Sequence, residues 1–256
     1  MMTEPAEQPT VDRILVEMTI AAPAAEVWDA LRDRDKLLQW FGWDADSLVE
    51  EIDYIFFKHT RPDETAGILW FEGVPDRFEV EPRGADRCIL RVVRAAPAGE
   101  SWDGVYEDMV EGWISFVQQL RLAIEQHDLA PRRTLYLEGN AKDGGSGPIA
   151  ALGLSGLRDV PDGAAFVADL PTGEVVEGRA WHRTPWQLGL TVPGWGDGLL
   201  IVTDKSVKDS APHGRGMVIL TTYGLSETAF AALEARWRRW WDARYDAPPP
   251  SAEVCS

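Results

Sequence analysis

Residues 74–93 read VPDRFEVEPRGADRCILRVV, two apolar runs separated by a turn-forming segment. The runs DRFEVEPR and RCILRVVRA contain the apolar and β-branched residues that are typical of strands. The segment PRGAD between them supplies turn chemistry. Two consecutive strands with a short link pair antiparallel, so this stretch predicts a hairpin.

Two further strand-like runs precede the hairpin. They are SLVEEIDYIFFKHT over residues 47–60 and AGILWFEG over residues 66–73. RPDET and VPD supply the turns between the runs. The whole of 47–95 is therefore predicted to be an antiparallel meander, in which SLVEEIDYIFFKHT is the first strand.

Helices are predicted on both sides of this meander. Upstream, RILVEMTI predicts a strand with Ile14, Val16, Met18 and Ile20 on one face, because side chains alternate along a strand. A helix follows near Pro23, and a second short helix covers about residues 35–41. Downstream, apolar residues recur at helical spacing over about six turns. These residues are Tyr106, Met109, Val110, Trp113, Val117, Leu120, Ile124 and His127.

The second half of the chain repeats this plan. PRRTLYLEGN resembles VDRILVEMTI in pattern and position, and PIAALGLSGL predicts a short helix. Five strand-like runs follow: AAFVADL, EVVEGRAWHR, WQLGLTV, GLLIVTD and GMVILTTYG. A last helix begins near Ser226, a favourable N-cap residue. We expect an internal duplication: a disordered leader over 1–10, domains over 11–128 and 132–245, and a disordered tail over 246–256.

Composition and charge exclude several classes of function. Acidic residues outnumber basic ones by 42 to 25, and a formal net charge of −17 disfavours nucleic acid and anionic membranes as partners. Two cysteines without a CxxC pattern give no support for a metal site. The first residues lack the apolar core of a signal peptide, and no apolar run is long enough to span a membrane. We therefore expect a cytoplasmic protein.

Several segments resemble the START/Bet v 1-like superfamily (SRPBCC, helix-grip), and in the first half its activator of Hsp90 ATPase homologue 1-like family. They are AAPAAEVWDALRD, LLQWFG, VPDRFEVEPRGADRCILRVV and EGWISFVQQL, which contains the Gly112-Trp113 pair. The resemblance covers 11–128 well and 132–245 faintly, through RTPWQLGLTV and the final helix. It implies an α+β protein of two tandem helix-grip domains. In each, a curved antiparallel sheet wraps around a long C-terminal helix, and the second copy is degenerate.

The same resemblance implies a cavity between the sheet and the long helix that binds an apolar small molecule. Its candidate lining residues are Trp40, Phe41, Trp43, Tyr54, Phe56, Trp70, Trp102, Tyr106, Met109 and Trp113. His59, beside Arg61, is a candidate polar group. Core packing for the rings and an exposed turn for His59 are the alternatives. Family members often carry a histidine at the position of Met109, so this chain departs from that pattern and weakens the case for acid–base chemistry.

Three functions follow as alternatives. The first is binding of a hydrophobic or aromatic small molecule, mainly in the first domain, with the second domain as a lid, partner surface or reduced pocket. The second is a polyketide cyclase/aromatase-like enzyme, and the third is an Hsp90-type chaperone partner. No cofactor is implied, because both the GxxxxGK[ST] phosphate loop and the GxGxxG fingerprint are missing. Trp237, Trp240 and Trp241 are expected either to contact the other domain or to pack in their own core.

Overall fold

The computed structural model describes residues 10–97, 105–142, 144–205 and 212–247, with backbone alone for residues 10, 96–97 and 105–108. The chain divides into two compact units, Met1–Leu129 and Ala130–Ser256. Both units combine an antiparallel sheet with helices. The predicted α+β class is therefore confirmed. None of the described helices is both long and apolar enough to cross a membrane.

The first unit contains a five-stranded antiparallel sheet in the order β1-β5-β4-β3-β2. Its elements are β1 (Thr10–Ile20), α1 (Ala24–Arg32), α2 (Arg34–Leu37), α3 (Leu48–Asp53), a π-helical turn (Tyr54–Lys58), β2 (Thr60–Asp63), β3 (Ile68–Phe71), β4 (Asp76–Pro82), β5 (Cys88–Pro97) and α4 (Val105–His127). Strand, helices, meander and long helix follow in the predicted order. Residues of β3, β4 and β5 form one hydrophobic core with residues of α1, α3 and α4.

The prediction of a strand over residues 47–60 was wrong. The segment is helical from Leu48 to Lys58. Leu48, Ile52 and Phe56 are all buried, and their spacing of four places them on one face of a helix. Because aromatic and β-branched residues in the same window also favour a strand, local composition outweighed this spacing in the prediction.

The hairpin of β4 and β5 is confirmed, and its register places alternate residues toward α4. Phe78 pairs with Val92 and Val80 pairs with Leu90, and all four side chains are buried. Asp76 and Arg94 form the next pair along the same face. The inward face of the hairpin therefore begins with an ion pair and continues as hydrophobic core.

A β-bulge changes the predicted face of β1. Val16 pairs with Val92 whereas Ile14 pairs with Val93, so the register shifts by one residue around Leu15. Ile14 consequently points outward and is 57% exposed, while Leu15 packs against the core. The period-two assignment was correct from Val16 to Ile20 and wrong at Ile14, because one extra residue reverses the alternation.

The second unit contains a seven-stranded antiparallel sheet in the order β12-β6-β11-β10-β9-β8-β7. Its elements are β6 (Arg132–Ala141), α5 (Pro148–Ala151), a 3-10 helix (Ser155–Asp159), β7 (Ala165–Leu170), β8 (Glu174–Arg183), β9 (Gln187–Val192), a 3-10 turn (Pro193–Trp195), β10 (Gly198–Lys205), β11 (Arg215–Tyr223), α6 (Glu227–Asp242) and β12 (Tyr245–Asp246). Ser226 caps α6 as predicted, since its side chain accepts a hydrogen bond from the Ala229 amide.

The three tryptophans of α6 are buried in the core of the second unit. Trp237 lies 6.0 Å from Trp195 and 6.2 Å from Trp240, measured between ring centroids. Trp241 stacks on Tyr245 at 4.1 Å. This is the core-packing alternative for the three rings. A contact with the first unit stays a prediction.

Candidate functional site

The first unit contains a cavity of about 450 Å³ between α4, the helical segment 48–58 and the ends of β3, β4 and β5. Most of its wall is apolar, and four polar side chains reach it. The lining residues are Phe41, Tyr54, Ile55, His59, Phe71, Glu72, Val74, Asp76, Arg94, Met109, Gly112, Trp113 and Phe116. The cavity thus has the composition of a small-molecule pocket, with an apolar wall and few polar groups.

Four aromatic rings form a connected part of the wall. Trp113 stacks on Phe71 with 5.8 Å between centroids and meets Phe116 edge-on at 6.1 Å. Phe116 in turn contacts Phe41 at 4.8 Å. The three pairs are stacked, edge-on and tilted, with 4.8–6.1 Å between centroids, which lies within the range that aromatic pairs prefer. An incoming ligand therefore meets a preformed aromatic surface.

Asp76 and Arg94 place a buried ion pair on the same cavity. Arg94 Nη2 donates to Asp76 Oδ2 at 2.6 Å, and Arg94 Nε donates to Asp76 Oδ1. Only 4% of the Asp76 side chain and 11% of the Arg94 side chain are exposed. Arg94 Nη2 also donates to Met109 Sδ at 2.9 Å. The thioether of Met109 therefore lies against the guanidinium of Arg94.

The mouth of the cavity combines apolar and polar side chains. Tyr54 is 58% exposed and Val74 is 50% exposed although both line the cavity. The His59 ring lies against the Tyr54 ring with 4.1 Å between centroids. The exposed Glu72 donates its backbone N–H to the His59 carbonyl at 2.7 Å. The cavity is therefore open to solvent beside these residues.

Gly112 lines the cavity from the middle of α4. Glycine inside a helix costs about 1 kcal/mol relative to alanine. A Cβ atom built at Gly112 would meet nothing within 4 Å, so no close contact requires a glycine there. Its effect in this structure is to leave room on the cavity side of the helix.

The structure brings five of the predicted lining and polar residues together on this cavity: Phe41, Tyr54, His59, Met109 and Trp113. Trp102 and the side chain of Tyr106 lie outside the described residues. That any of these residues binds a ligand stays a prediction.

Four other candidate residues lie elsewhere. Trp40 is fully buried, and its Nε1 donates to the Ala30 carbonyl at 2.9 Å. Phe56 is fully buried, and Trp43 lies against Phe116 with 6.3 Å between centroids. Trp70 lies between the buried Leu69 and Phe71, so it points to the opposite face of β3. Trp40 and Phe56 therefore pack in the core, which was the alternative to a place on the cavity.

The ion pair and two of the rings were not predicted from the sequence. Asp76 and Arg94 are directly opposite each other in a hairpin whose turn centres on Ala85, so the spacing from that turn was a usable signal. Phe71 follows the buried Leu69 by two residues, which places both on the inner face. Phe116 follows Trp113 by three residues on α4, and that spacing also places both on one face.

Two further cavities lie in the second unit. One of about 470 Å³ contains Glu174 and Arg236, which form an ion pair at 3.2 Å, and Glu174 also accepts from Trp237 Nε1 at 2.6 Å. The other, of about 300 Å³, lies beside Lys142 and Arg244. Within the described ranges, no group of three or more histidine, cysteine or acidic side chains is placed to hold a metal ion.

Comparison with known proteins gives structural neighbours alone. No family model matches the chain, and no curated protein matches it. The di-domain ARO/CYC BexL from the BE-7585A biosynthetic pathway matches at 12% identity and a TM-score of 0.34, over 94% of this chain and 99% of that one. The di-domain ARO/CYC StfQ from the steffimycin pathway matches at 12% identity and 0.33, over 91% and 94%.

A third neighbour, DynU16 from the dynemicin biosynthetic locus, matches at 17% identity and a TM-score of 0.28, over 93% of this chain and 96% of that one. All three TM-scores are below 0.5. These likenesses therefore carry no argument about function. A function for the chain has to be inferred from the geometry of the cavity.

Proposed function

We propose that the first unit binds an apolar, aromatic small molecule in the cavity between α4 and the ends of β3, β4 and β5. The observation that carries this proposal is the composition of the wall. Four connected aromatic rings face a cavity of about 450 Å³ that also contains a buried ion pair. Ligand pockets measure about 300–1,000 Å³ and are mostly apolar with a few polar groups.

The size of the cavity favours a binding site over a packing defect. Protein interiors contain few voids larger than a water molecule, because unfilled space forfeits contacts. This cavity, of about 450 Å³, is far larger than a water molecule, and most of its wall is apolar. A pocket of this size with an apolar wall is the kind of site in which small molecules bind.

A cyclase-like enzyme is a second function that the same cavity supports. His59, Asp76 and Arg94 supply polar, hydrogen-bonding groups beside an aromatic wall. Such an enzyme would fold its substrate in the cavity and assist proton transfer there. Native mass spectrometry of the freshly purified protein separates the two functions. A stoichiometric adduct that is lost on unfolding favours a binding protein, and a substrate converted to product favours an enzyme.

The binding proposal is tested with N-phenyl-1-naphthylamine, an uncharged aromatic dye that fluoresces in apolar surroundings. We expect the full chain to bind one equivalent of the dye. We expect Gly112→Leu to raise the dissociation constant about tenfold or more, because the leucine side chain fills the cavity without meeting a neighbour at its Cβ.

Gly112→Ala is the matched control. It adds a single methyl group and favours the helix, so it should bind the dye nearly as the unmodified chain does. Circular dichroism should show both variants folded. Equal dye binding by the Gly112→Leu and Gly112→Ala variants would place the dye elsewhere and overturn the proposal.

A further inference from the structure

The cavity contains an arginine, which in an apolar pocket usually indicates an acidic ligand. Arg94 is, however, bound to Asp76 through two parallel contacts, Nε to Oδ1 and Nη2 to Oδ2, the latter at 2.6 Å. Two such contacts match the planar fork of a guanidinium to a carboxylate. Arg94 Nη2 additionally donates to Met109 Sδ. The protein itself therefore supplies a counter-charge to this arginine.

The charged side chains described on the cavity wall supply no uncompensated positive charge that would attract an anion. Among the described lining residues, three carry a formal charge: Glu72, Asp76 and Arg94. The buried pair cancels, and the exposed Glu72 adds negative charge at the mouth. A carboxylate or sulfonate that approached Arg94 would also approach Asp76, and would lose its hydration without gaining an uncompensated positive charge.

A cationic ligand is disfavoured in the cavity as well. The guanidinium of Arg94 lies on the cavity, and its partner carboxylate is already neutralised. A cation there would be desolvated beside a positive group, which is costly. Among the described lining residues, the exposed Glu72 at the mouth would attract it, and exposed charges are strongly screened by water.

We infer that the cavity selects uncharged aromatic ligands and rejects anionic ones of the same shape, because Asp76 neutralises Arg94 inside it. This inference rests on the proposed binding function and adds the class of ligand. Neutral hydrogen-bonding groups on the ligand remain compatible with the pair, since an ion pair can accept and donate hydrogen bonds without a change in net charge. Asp76 is then the residue that sets the selectivity for charge.

The test compares two dyes that share one skeleton. N-phenyl-1-naphthylamine is uncharged, and 8-anilino-1-naphthalenesulfonate adds one sulfonate to the same rings. We expect the unmodified full chain to bind the neutral dye at least about tenfold more tightly than the anionic dye, as for a charge buried without a partner. We expect Asp76→Asn to shift this ratio about tenfold or more toward the anionic dye, because the carboxylate charge that binds Arg94 through two contacts is then removed.

Two further variants keep the test decisive if Asp76→Asn unfolds the protein. The double variant Asp76→Asn/Arg94→Gln leaves no buried charge unpaired and should retain the preference for the neutral dye. Arg94→Gln alone removes the positive partner of the Asp76 carboxylate and should shift the ratio of the two dissociation constants further toward the neutral dye.

The outcomes separate the inference from the proposed function. If the unmodified chain binds both dyes equally, and Gly112→Leu abolishes both, the cavity binds ligands but the inferred selectivity is overturned. Retention of the starting ratio by a folded Asp76→Asn variant would also overturn it. If neither dye responds to Gly112→Leu, the proposed function itself fails and the inference fails with it.

Discussion

Cys88 lies in β5 with none of its side chain exposed. Burial, with a smaller contribution from the carboxylate of Glu26, raises the pKa of its thiol to about 11. The thiolate is the reactive form of cysteine, and a pKa of about 11 in place of 9.0 leaves about 100-fold less of it at pH 8. The folded state thus protects this thiol in two ways. Burial restricts the access of reagents, and the raised pKa lowers the fraction of the thiol that is present as thiolate.

We predict that Cys88 reacts slowly with a disulfide reagent such as 5,5′-dithiobis(2-nitrobenzoate) at pH 8. The measurement uses a Cys255→Ser background, so that one thiol remains. The reaction should be at least about 100-fold slower in the native protein than in guanidinium chloride. Rapid reaction of the native protein would contradict the buried position of Cys88.

The same raised pKa gives a pH dependence with a definite sign. The folded state favours the protonated thiol, so the stabilising contribution is fully present below pH 9.0 and is lost as the pH rises through about 11. The free energy of unfolding should therefore fall over that interval. A Cys88→Ala variant should lose this part of the fall, although Tyr223, whose pKa burial raises to about 12, contributes its own part in both proteins.

At the scale of the element, the π-helical turn Tyr54–Lys58 positions two residues that line the cavity, Tyr54 and Ile55. Its end is held by side chains from outside the turn. The Phe56 carbonyl accepts from Arg32 Nη1 at 2.5 Å and from Thr60 Oγ1 at 2.8 Å. Carbonyls at helix ends lack partners within the helix, so these two bonds satisfy a group that the helix leaves open.

We predict that Arg32→Met loosens this turn. Hydrogen exchange of the backbone amides from about residue 56 to 60 should become faster, because one of the two bonds that hold the Phe56 carbonyl is lost. Lys58→Met is the control, since Lys58 is 66% exposed and makes an ion pair with Asp53 at 3.0 Å. Unchanged exchange in the Arg32→Met variant would assign the stability of the turn to packing alone.

Elements with one dominant signal were predicted correctly from the sequence. The hairpin of β4 and β5, the helix α4 and the cap of α6 at Ser226 each carry an unambiguous pattern. The helical segment 48–58 was missed because its spacing of four competes with strand-forming composition. The bulge at Leu15 was also missed, since the sequence contains no local sign of an extra residue in β1.

The site was predicted in part for a related reason. Aromatic residues were identified by type, and type does not distinguish Trp113 on the cavity from Trp40 in the core. That difference depends on the face of the element and on its register, which one residue of slip inverts. The Asp76–Arg94 pair could have been predicted from the sequence, because pairing the strands outward from the turn places the two residues opposite each other.

At the scale of the whole molecule, the formal net charge of −17 gives the protein a negative field at long range. Such a field lowers the local concentration of anions and slows their association. Salt screens it: the Debye length falls from about 30 Å at about 10 mM to about 8 Å at about 150 mM ionic strength. The field and the neutralised arginine therefore act in the same direction, against anionic ligands.

We predict that the association rate of 8-anilino-1-naphthalenesulfonate with the Asp76→Asn variant rises with salt over this range. The rate for N-phenyl-1-naphthylamine should stay nearly constant, because an uncharged dye does not respond to the field. Stopped-flow fluorescence measures both rates on the same protein. A parallel change for the two dyes would show that salt acts on the protein itself and not on the approach of the anion.

The short connection between β4 and β5, residues 83–87, affects how a cavity of this kind can change during evolution. An insertion of one residue in this loop that slipped the register would turn either Asp76 or Arg94 outward and leave its partner alone. An insertion of two that slipped it further would keep both inside but give each a different neighbour. The length of this loop, far from any ligand, would thus influence which ligands the cavity binds. Insertions or deletions in the loop would alter the preference for ligand charge without any substitution in the cavity wall.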